Sequence, residues 1–511
     1  MSTLPRCTEC EEIELARVRD LVPTQTLPLP AAALAGFGEG RDRTAMTRRR
    51  LMAAGLAGFA SVYGPRTFGW DEVWDSVAEA SMAPTQNCVV LVYLAGGNDG
   101  LNTLVPQNAA DFSSYSAKRP VLARIQGPDA AGKIGSTPLP GAAGSELGWA
   151  NVGVSSGAGG SNGDASQGFD ALYGNGLGGA GNDLAVLPAV DYQPPNFSHF
   201  ASADYWFNGA LSGQTTGWLG RWLDRNGSAT NPLQAVSLDT ALSKSIRTAV
   251  SPVCAIQTLG GLGYTLHASG GYGTDSFGGT TVPTPQTTAD VKSLGQVAGA
   301  GNPRLVRARD SFRQGADVYT TANTLAGQAL GSGAAYPSAS TQPTDLSYKL
   351  KLAALLLGAN VGTRIVTIHW GAFDTHGNQL TNQDPQLSEL SRALCAFKAD
   401  LAARGVEQKV TTLVFSEFGR RVAQNGSGSD HGAGGLMMLS GSRVRGGYAA
   451  PFPGCRSQDL DSYGNLLVPT DFRSVYQAVI DEWLGDDPDA ILPGGPFAPL
   501  VRPDGLGSLF E

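Results

Sequence analysis

Five runs rich in apolar and β-branched residues recur along the chain: CVVLVYLAG (Cys88 to Gly96), LAVLPAV (Leu184 to Val190), TRIVTIHW (Thr363 to Trp370), KVTTLVFSEF (Lys409 to Phe418) and GLMMLSG (Gly435 to Gly441). Runs of this kind read as buried strands. Helical spacing of apolar positions fills the gaps before two of them. DLSYKLKLAALLLGAN leads into Thr363, and QLSELSRALCAFKADLAARG leads into Lys409, closing at Gly405 as a C-cap does. Strand, helix, strand predicts an α/β fold with a mostly parallel central sheet and helices on both faces. In such sheets ligands sit beyond the carboxyl ends of the strands, so chemistry is to be sought just after each run.

Two stretches interrupt the pattern. Residues 125–182 are rich in Gly, Ser and Ala and read as a long loop with a short helix near Phe169 to Tyr173. Residues 211–347 combine weaker strands, the helical NPRLVRARDSFRQGADVYTTANTLA and the Gly-rich ASGGYGTDSFGG. This block reads as an insertion or cap, because structureless loops of that length are uncommon in compact domains.

Met46 to Gly64, MTRRRLMAAGLAGFASVYG, places an arginine triplet before a short, mildly apolar run. That order is a secretion signal, and the run is too short to span a bilayer. The string TRRRLM resembles the twin-arginine signal, which implies the twin-arginine translocase as a partner and a periplasmic or secreted bacterial protein. The expected organisation is an extended gene model or long leader over residues 1–45, a signal peptide over 46–83, and a single α/β domain over 84–511.

Composition narrows the function classes. Hydrophobic residues make up 42% of the 511 positions and charged residues 16%, so a sizeable core is available. A net charge of −8 leaves no basic stripe for a nucleic-acid partner. Cys7 and Cys10 form an isolated CxxC and the other four cysteines are scattered, which predicts neither a disulfide framework nor a thiolate metal cluster.

The candidate chemistry lies after the strands. The first run is followed by GNDGLN with Asn98 and Asp99, the second by DYQPPNFSHFASADYWFNG, the third continues as HWGAFDTHGNQ, and the fourth leads into SEFGRRVAQNGSGSDHGAGG. Four of the five histidines, His199, His369, His376 and His431, fall in these segments. Histidines and carboxylates gathered on one sheet edge suit a divalent metal. Asp374 and Asp430 also have an ordinary reading as turn residues, and Glu417 as an ion-pair partner of Arg420 or Arg421.

The series LVYLAGGNDGLN, FSHFASADYW, GWLGRWLD, HWGAFDTHGNQ, FSEFGRRVAQNGSGSDHGAGG and DFRSVYQAVIDEWLG resembles bacterial exported proteins of domain-of-unknown-function family 1501, over about Cys88 to Gly485. The resemblance implies an alkaline-phosphatase and sulfatase-like fold holding one or two divalent ions, zinc, manganese, magnesium or calcium. It implies Asp99, Asp374, His376, Glu417, Asp430 and His431 as metal residues. Ser198 is the implied nucleophile, with His199 fitting the spacing about as well, and Arg420 the implied stabiliser of charge. The implied reaction is hydrolysis of a phosphate or sulfate ester of a small molecule or polysaccharide. Two departures stand out: Phe418 occupies the place of a ligand histidine, and no CxPSR-like string is present. The rival expectation is a non-catalytic exported binding or surface-assembly protein on the same fold.

Overall fold

Cys88–Leu94 (β1) is buried at every residue. Val90, Val92 and Leu94 enter one apolar cluster and Val89, Leu91 and Tyr93 another, as period-2 geometry requires of a strand covered on both faces. The structure is a computed structural model that describes residues 86–141, 145–175, 182–259, 303–326, 328, 333–337 and 342–511. The segments expected to be a leader and a signal peptide, the CxxC and the Gly-rich ASGGYGTDSFGG lie outside the described residues.

Along the chain β1 is followed by Leu104–Pro106 (β2), Ser136–Pro138 (β3), Leu147–Ala150 (β4), Leu184–Asp191 (β5), Ala235–Ser237 (β6) and Cys254–Ala255 (β7). Then come Ile365–Trp370 (β8), Val410–Phe415 (β9), Gly419–Gln424 (β10), Ser429–Gly432 (β11), Gly435–Ser440 (β12), Gly447–Tyr448 (β13) and Thr470–Asp471 (β14). The α-helices are Gly100–Thr103 (α1), Ala109–Lys118 (α2), Phe169–Tyr173 (α3), His199–Asn208 (α4), Trp218–Asn226 (α5), Pro303–Ala326 (α6), Leu346–Gly358 (α7), Gln379–Ala403 (α8) and Phe472–Ala478 (α9).

The main sheet has the order β13-β5-β12-β9-β1-β8-β6-β7, with β14 also pairing β5. It is a mixed sheet. β1 runs parallel to β8 and β9, whereas β12 runs antiparallel to both β5 and β9. Residues of α7 and α8 pack in the cluster on one face, and residues of α4, α5 and α9 in the cluster on the other. The fold is therefore α/β, and all five apolar runs are strands.

The interrupting stretches carry more structure than their composition suggests. Within 125–182, β3 and β4 pair and β4 also pairs β2, giving a separate antiparallel sheet, and α3 spans Phe169–Tyr173. Within 211–347, β6 pairs parallel with β8 and β7, so this part of the expected cap extends the main sheet. Among the described residues, no helix is long and apolar enough to cross a membrane.

Candidate metal centre

The register sets which chemistry meets at the sheet edge. Tyr93 pairs with His369 on β8 and with Phe415 on β9, so the segments leaving β8 and β9 emerge beside the turn after β1. In that turn Gly96 has a φ of +113°, and a Cβ there would stand 2.2 Å from the backbone nitrogen of Asp374. Only glycine permits this approach. The N–H groups of Gly96 and Gly97 then donate to the buried carboxylate of Glu417, Gly96 at 2.9 Å to Oε1 and Gly97 at 3.2 Å to Oε2.

Glu417 holds His199. The Nδ1–H of His199 donates to Glu417 Oε1 at 2.6 Å. His376 is oriented in the same manner, Nδ1 lying 3.2 Å from Asp430 Oδ1, and His431 by its Nδ1–H to the carbonyl oxygen of Phe197 at 2.9 Å. All three partners are acceptors, so each neutral imidazole carries its proton on Nδ1 and presents a lone pair at Nε2.

Those Nε2 atoms gather around Asp374. His376 Nε2 and His431 Nε2 are 3.0 Å apart, and each is 3.1 Å from Asp374 Oδ1. His199 Nε2 is 3.5 Å from Asp374 Oδ2, is buried and makes no hydrogen bond. Ligand atoms of His199, Asp374 and His431 all lie within 4.8 Å of one another. Tetrahedral zinc with bonds of about 2.0–2.1 Å separates its ligands by roughly 3.3 Å, so the spacing around Asp374 suits an ion of that size. Second-layer carboxylates behind ligand histidines are the usual support of such sites.

The electrostatics agree. Burial alone would raise the Asp374 carboxyl, but His199, His376, His431 and Arg420 outweigh it and hold the group well below the usual carboxylate range. Burial alone would lower His199, yet Asp374 and Glu417 push it up to about 9. Burial lowers His431, and the charges of Arg420 and His199 add to that against the pull of Asp374.

The remaining expected residues divide. Arg420 is buried and fully engaged: Nε donates to Gly97 O at 2.8 Å, Nη1 to Ser429 O at 2.7 Å, and Nη2 to Asp374 Oδ1 at 2.8 Å, to Phe373 O at 3.0 Å and to Gly96 O. It positions Asp374 rather than pointing into an open site. Asp99 stands outside the cluster. Its oxygens accept from Arg119, from the Leu101 N–H at 3.1 Å and from Gln379, and both members of the Asp99–Arg119 pair are fully buried. Glu417 and Asp430 stand behind histidines instead of among the ligand atoms. Ser198 is the N-cap of α4 and makes no side-chain capping bond, while its neighbour His199 enters the cluster.

His369 departs from the other three. Its ring stacks on Phe207 at 5.2 Å, lies edge-on to Tyr93 and reaches Ser243 Oγ at 3.2 Å. Phe418, in place of the expected histidine, forms an aromatic wall, its ring 4.3 Å from that of His431 and 4.9 Å from that of His199. Two features had no counterpart in the sequence reading: the Phe197 carbonyl and the β10–β11 hairpin that delivers Arg420, Asp430 and His431. The hairpin had a usable signal, since Asn425–Gly–Ser–Gly is a turn sequence between two short polar runs.

Residues 334–451 match the family described as Protein of unknown function (DUF1501). The matched segment contains Asp374, His376, Glu417, Arg420, Asp430 and His431, and the DUF1501 match stops short of Asp99, Ser198 and His199 on the N-terminal side. No curated protein matches the chain.

Proposed function

We propose that this is an exported, metal-dependent hydrolase on an alkaline-phosphatase-like fold, acting on phosphate or sulfate esters. One observation carries the reading: three histidines with Nδ1 held by acceptors turn their Nε2 atoms toward a single carboxylate. His199, Asp374, His376 and His431 would hold one divalent ion, and a donor set rich in imidazole favours zinc or a similar transition ion over magnesium or calcium. When bound, such an ion acts as a Lewis acid toward the ester oxygen.

The chain's own residues account for the rest. Glu417 and Asp430 fix the tautomers of His199 and His376, and Arg420 fixes Asp374. Ser198 lies one residue from His199 at the start of α4, whose first turn has no side-chain cap, so its N–H groups can receive an anionic oxygen. Ser198 or a water serves as the nucleophile. Export would follow the TRRRLM string, and replacing Arg48 and Arg49 by lysine would retain the protein in the cytoplasm.

Metal content of the purified full chain tests the core of the reading, since a folded, stable and metal-free protein sinks it. Ser198→Ala should abolish hydrolysis of a chromogenic phosphate or sulfate ester with metal content intact, and His199→Ala should reduce both. Full activity in Ser198→Ala assigns the attack to water. The engagement of every Arg420 nitrogen favours a second reading, a metal-holding but non-catalytic exported binding module, which metal retention without any hydrolysis would establish.

A further inference from the structure

The HWGAFDTHGNQ motif ends on Gln379, whose side chain joins the two chain segments that carry His376 and His431. Gln379 opens α8, three residues after His376, and is wholly buried. Its Nε2–H donates to the Asp99 carboxylate, and its Oε1 accepts from the Ser429 hydroxyl at 2.6 Å. Its backbone N–H donates to Ser427 O at 2.9 Å. One residue therefore grips the β10–β11 hairpin on both sides of Gly428, just before the hairpin delivers Asp430 and His431.

The hydrogen bonds run on to the centre without a break. Ser429 O accepts from Arg420 Nη1 at 2.7 Å, and Arg420 Nη2 donates to Asp374 Oδ1 at 2.8 Å. Ser429 is wholly buried as well, so a hydroxyl that lost Gln379 would pay for burial without its partner. The two ends of the Gln379 side chain meet opposite demands. A carboxylate only accepts, so Asp99 needs a donor, and the Ser429 hydroxyl, turned to donate, needs an acceptor. A neutral amide supplies both. Glutamate would set a second carboxylate against Asp99, and methionine, of similar shape, would satisfy neither end.

We propose that Gln379 is a positioning residue of the metal centre, fixing the separation of His376 and His431 by fastening the hairpin to the start of α8; this rests on the metal reading above. The two Nε2 atoms stand 3.0 Å apart although their residues come from separate elements, and Gln379 is bonded to one of those elements and covalently close to the other. Gln379 contributes no donor to the ion. Its loss changes the affinity and geometry of the site and leaves the stoichiometry at saturating metal as it was.

The test compares the full chain with Gln379→Met, Ser429→Ala and Leu401→Ala. Each is titrated with cobalt(II), whose visible absorption reports on donor geometry, and affinity is measured by competition with a chelator. Leu401, buried at the opposite end of α8, controls for lost stability alone. Gln379→Met and Ser429→Ala should each weaken cobalt binding about tenfold, the lower end of the loss seen when groups behind metal ligands are removed, and should alter the absorption bands. Leu401→Ala should lower the urea midpoint and change neither. Wild-type affinity and bands in either folded variant overturn the inference while leaving the metal site standing, as does an equal weakening in Leu401→Ala. Should Gln379→Met fail to fold, Ser429→Ala decides alone. Failure of the unaltered chain to bind cobalt sinks the metal reading and this inference with it.

Discussion

His376 Nε2 and His431 Nε2 face each other at 3.0 Å, and both stand 3.1 Å from one oxygen of Asp374. Because both rings donate through Nδ1, two neutral imidazoles would oppose lone pair to lone pair here. The arrangement is comfortable only with a positive charge between them, a proton or a metal ion. The two histidines come from separate elements, the segment after β8 and strand β11, so the site depends on how the β10–β11 hairpin is seated.

Gly428 governs that seating. A Cβ at this position would lie 2.2 Å from the carbonyl carbon of His376 and 2.4 Å from the oxygen of Thr375. Gly428→Ala should therefore push the His376 segment away from β11, destabilising the fold by about 1–3 kcal/mol as overpacking does. It should also weaken metal binding. Calorimetric titration of zinc into the variant checks this, and unchanged affinity would show that the contact does not position His376.

Glu417→Gln addresses the support behind His199. The carboxylate accepts from two backbone N–H groups and from His199, and an amide cannot accept at both ends. Metal affinity should fall roughly 10–100-fold, the usual effect of losing a partner behind a ligand histidine. Competition against a chromophoric chelator measures it. An unaltered dissociation constant would remove Glu417 from the centre.

The Asp99–Arg119 pair should matter for stability and not for metal. Arg119→Met strands a buried carboxylate and should cost about 3–5 kcal/mol in urea unfolding. Asp99→Asn should leave metal stoichiometry unchanged in the folded protein. Loss of metal from Asp99→Asn would return Asp99 to the ligand set.

The metal-free protein should lose stability between pH 6.5 and pH 9. His199 is raised to about 9 by Asp374 and Glu417 against the opposing effect of burial, while its unfolded value is about 6.5. A raised histidine stabilises the fold fully below its unfolded pKa, and that contribution disappears as pH climbs through the folded one. The loss is on the order of 2–3 kcal/mol. Burial, with the charges of Arg420 and His199, lowers His431, so its contribution lies on the acid side of this window. Urea unfolding of the metal-free protein at pH 6 and pH 9 should show the drop, and His199→Gln should flatten it. Metal uptake should release protons over the same window, because the ion must displace the proton on His199.

Strand positions were legible in the sequence because a strand buried on both faces is made of apolar and β-branched residues, as Cys88–Leu94 and Val410–Phe415 are. The convergence of Asp374, His376 and His431 was legible for a related reason, since side chains after such strands share one edge. Sequence alone determined that an α/β sheet would gather these groups. It could not separate His199 from Ser198, or His369 from His376, because which neighbour turns inward depends on how α4 packs and on β8 facing Phe207. Nor could it tell ligands from supports. Asp99, Glu417, Asp430 and Arg420 are all charged residues beside the strands, and only tertiary contacts decide which oxygen is taken by Arg119, which by a backbone N–H, and which stays within reach of an ion. The reason is physical: residue type sets what a side chain can donate or accept, but its partner is whichever group the packed chain brings within about 3 Å.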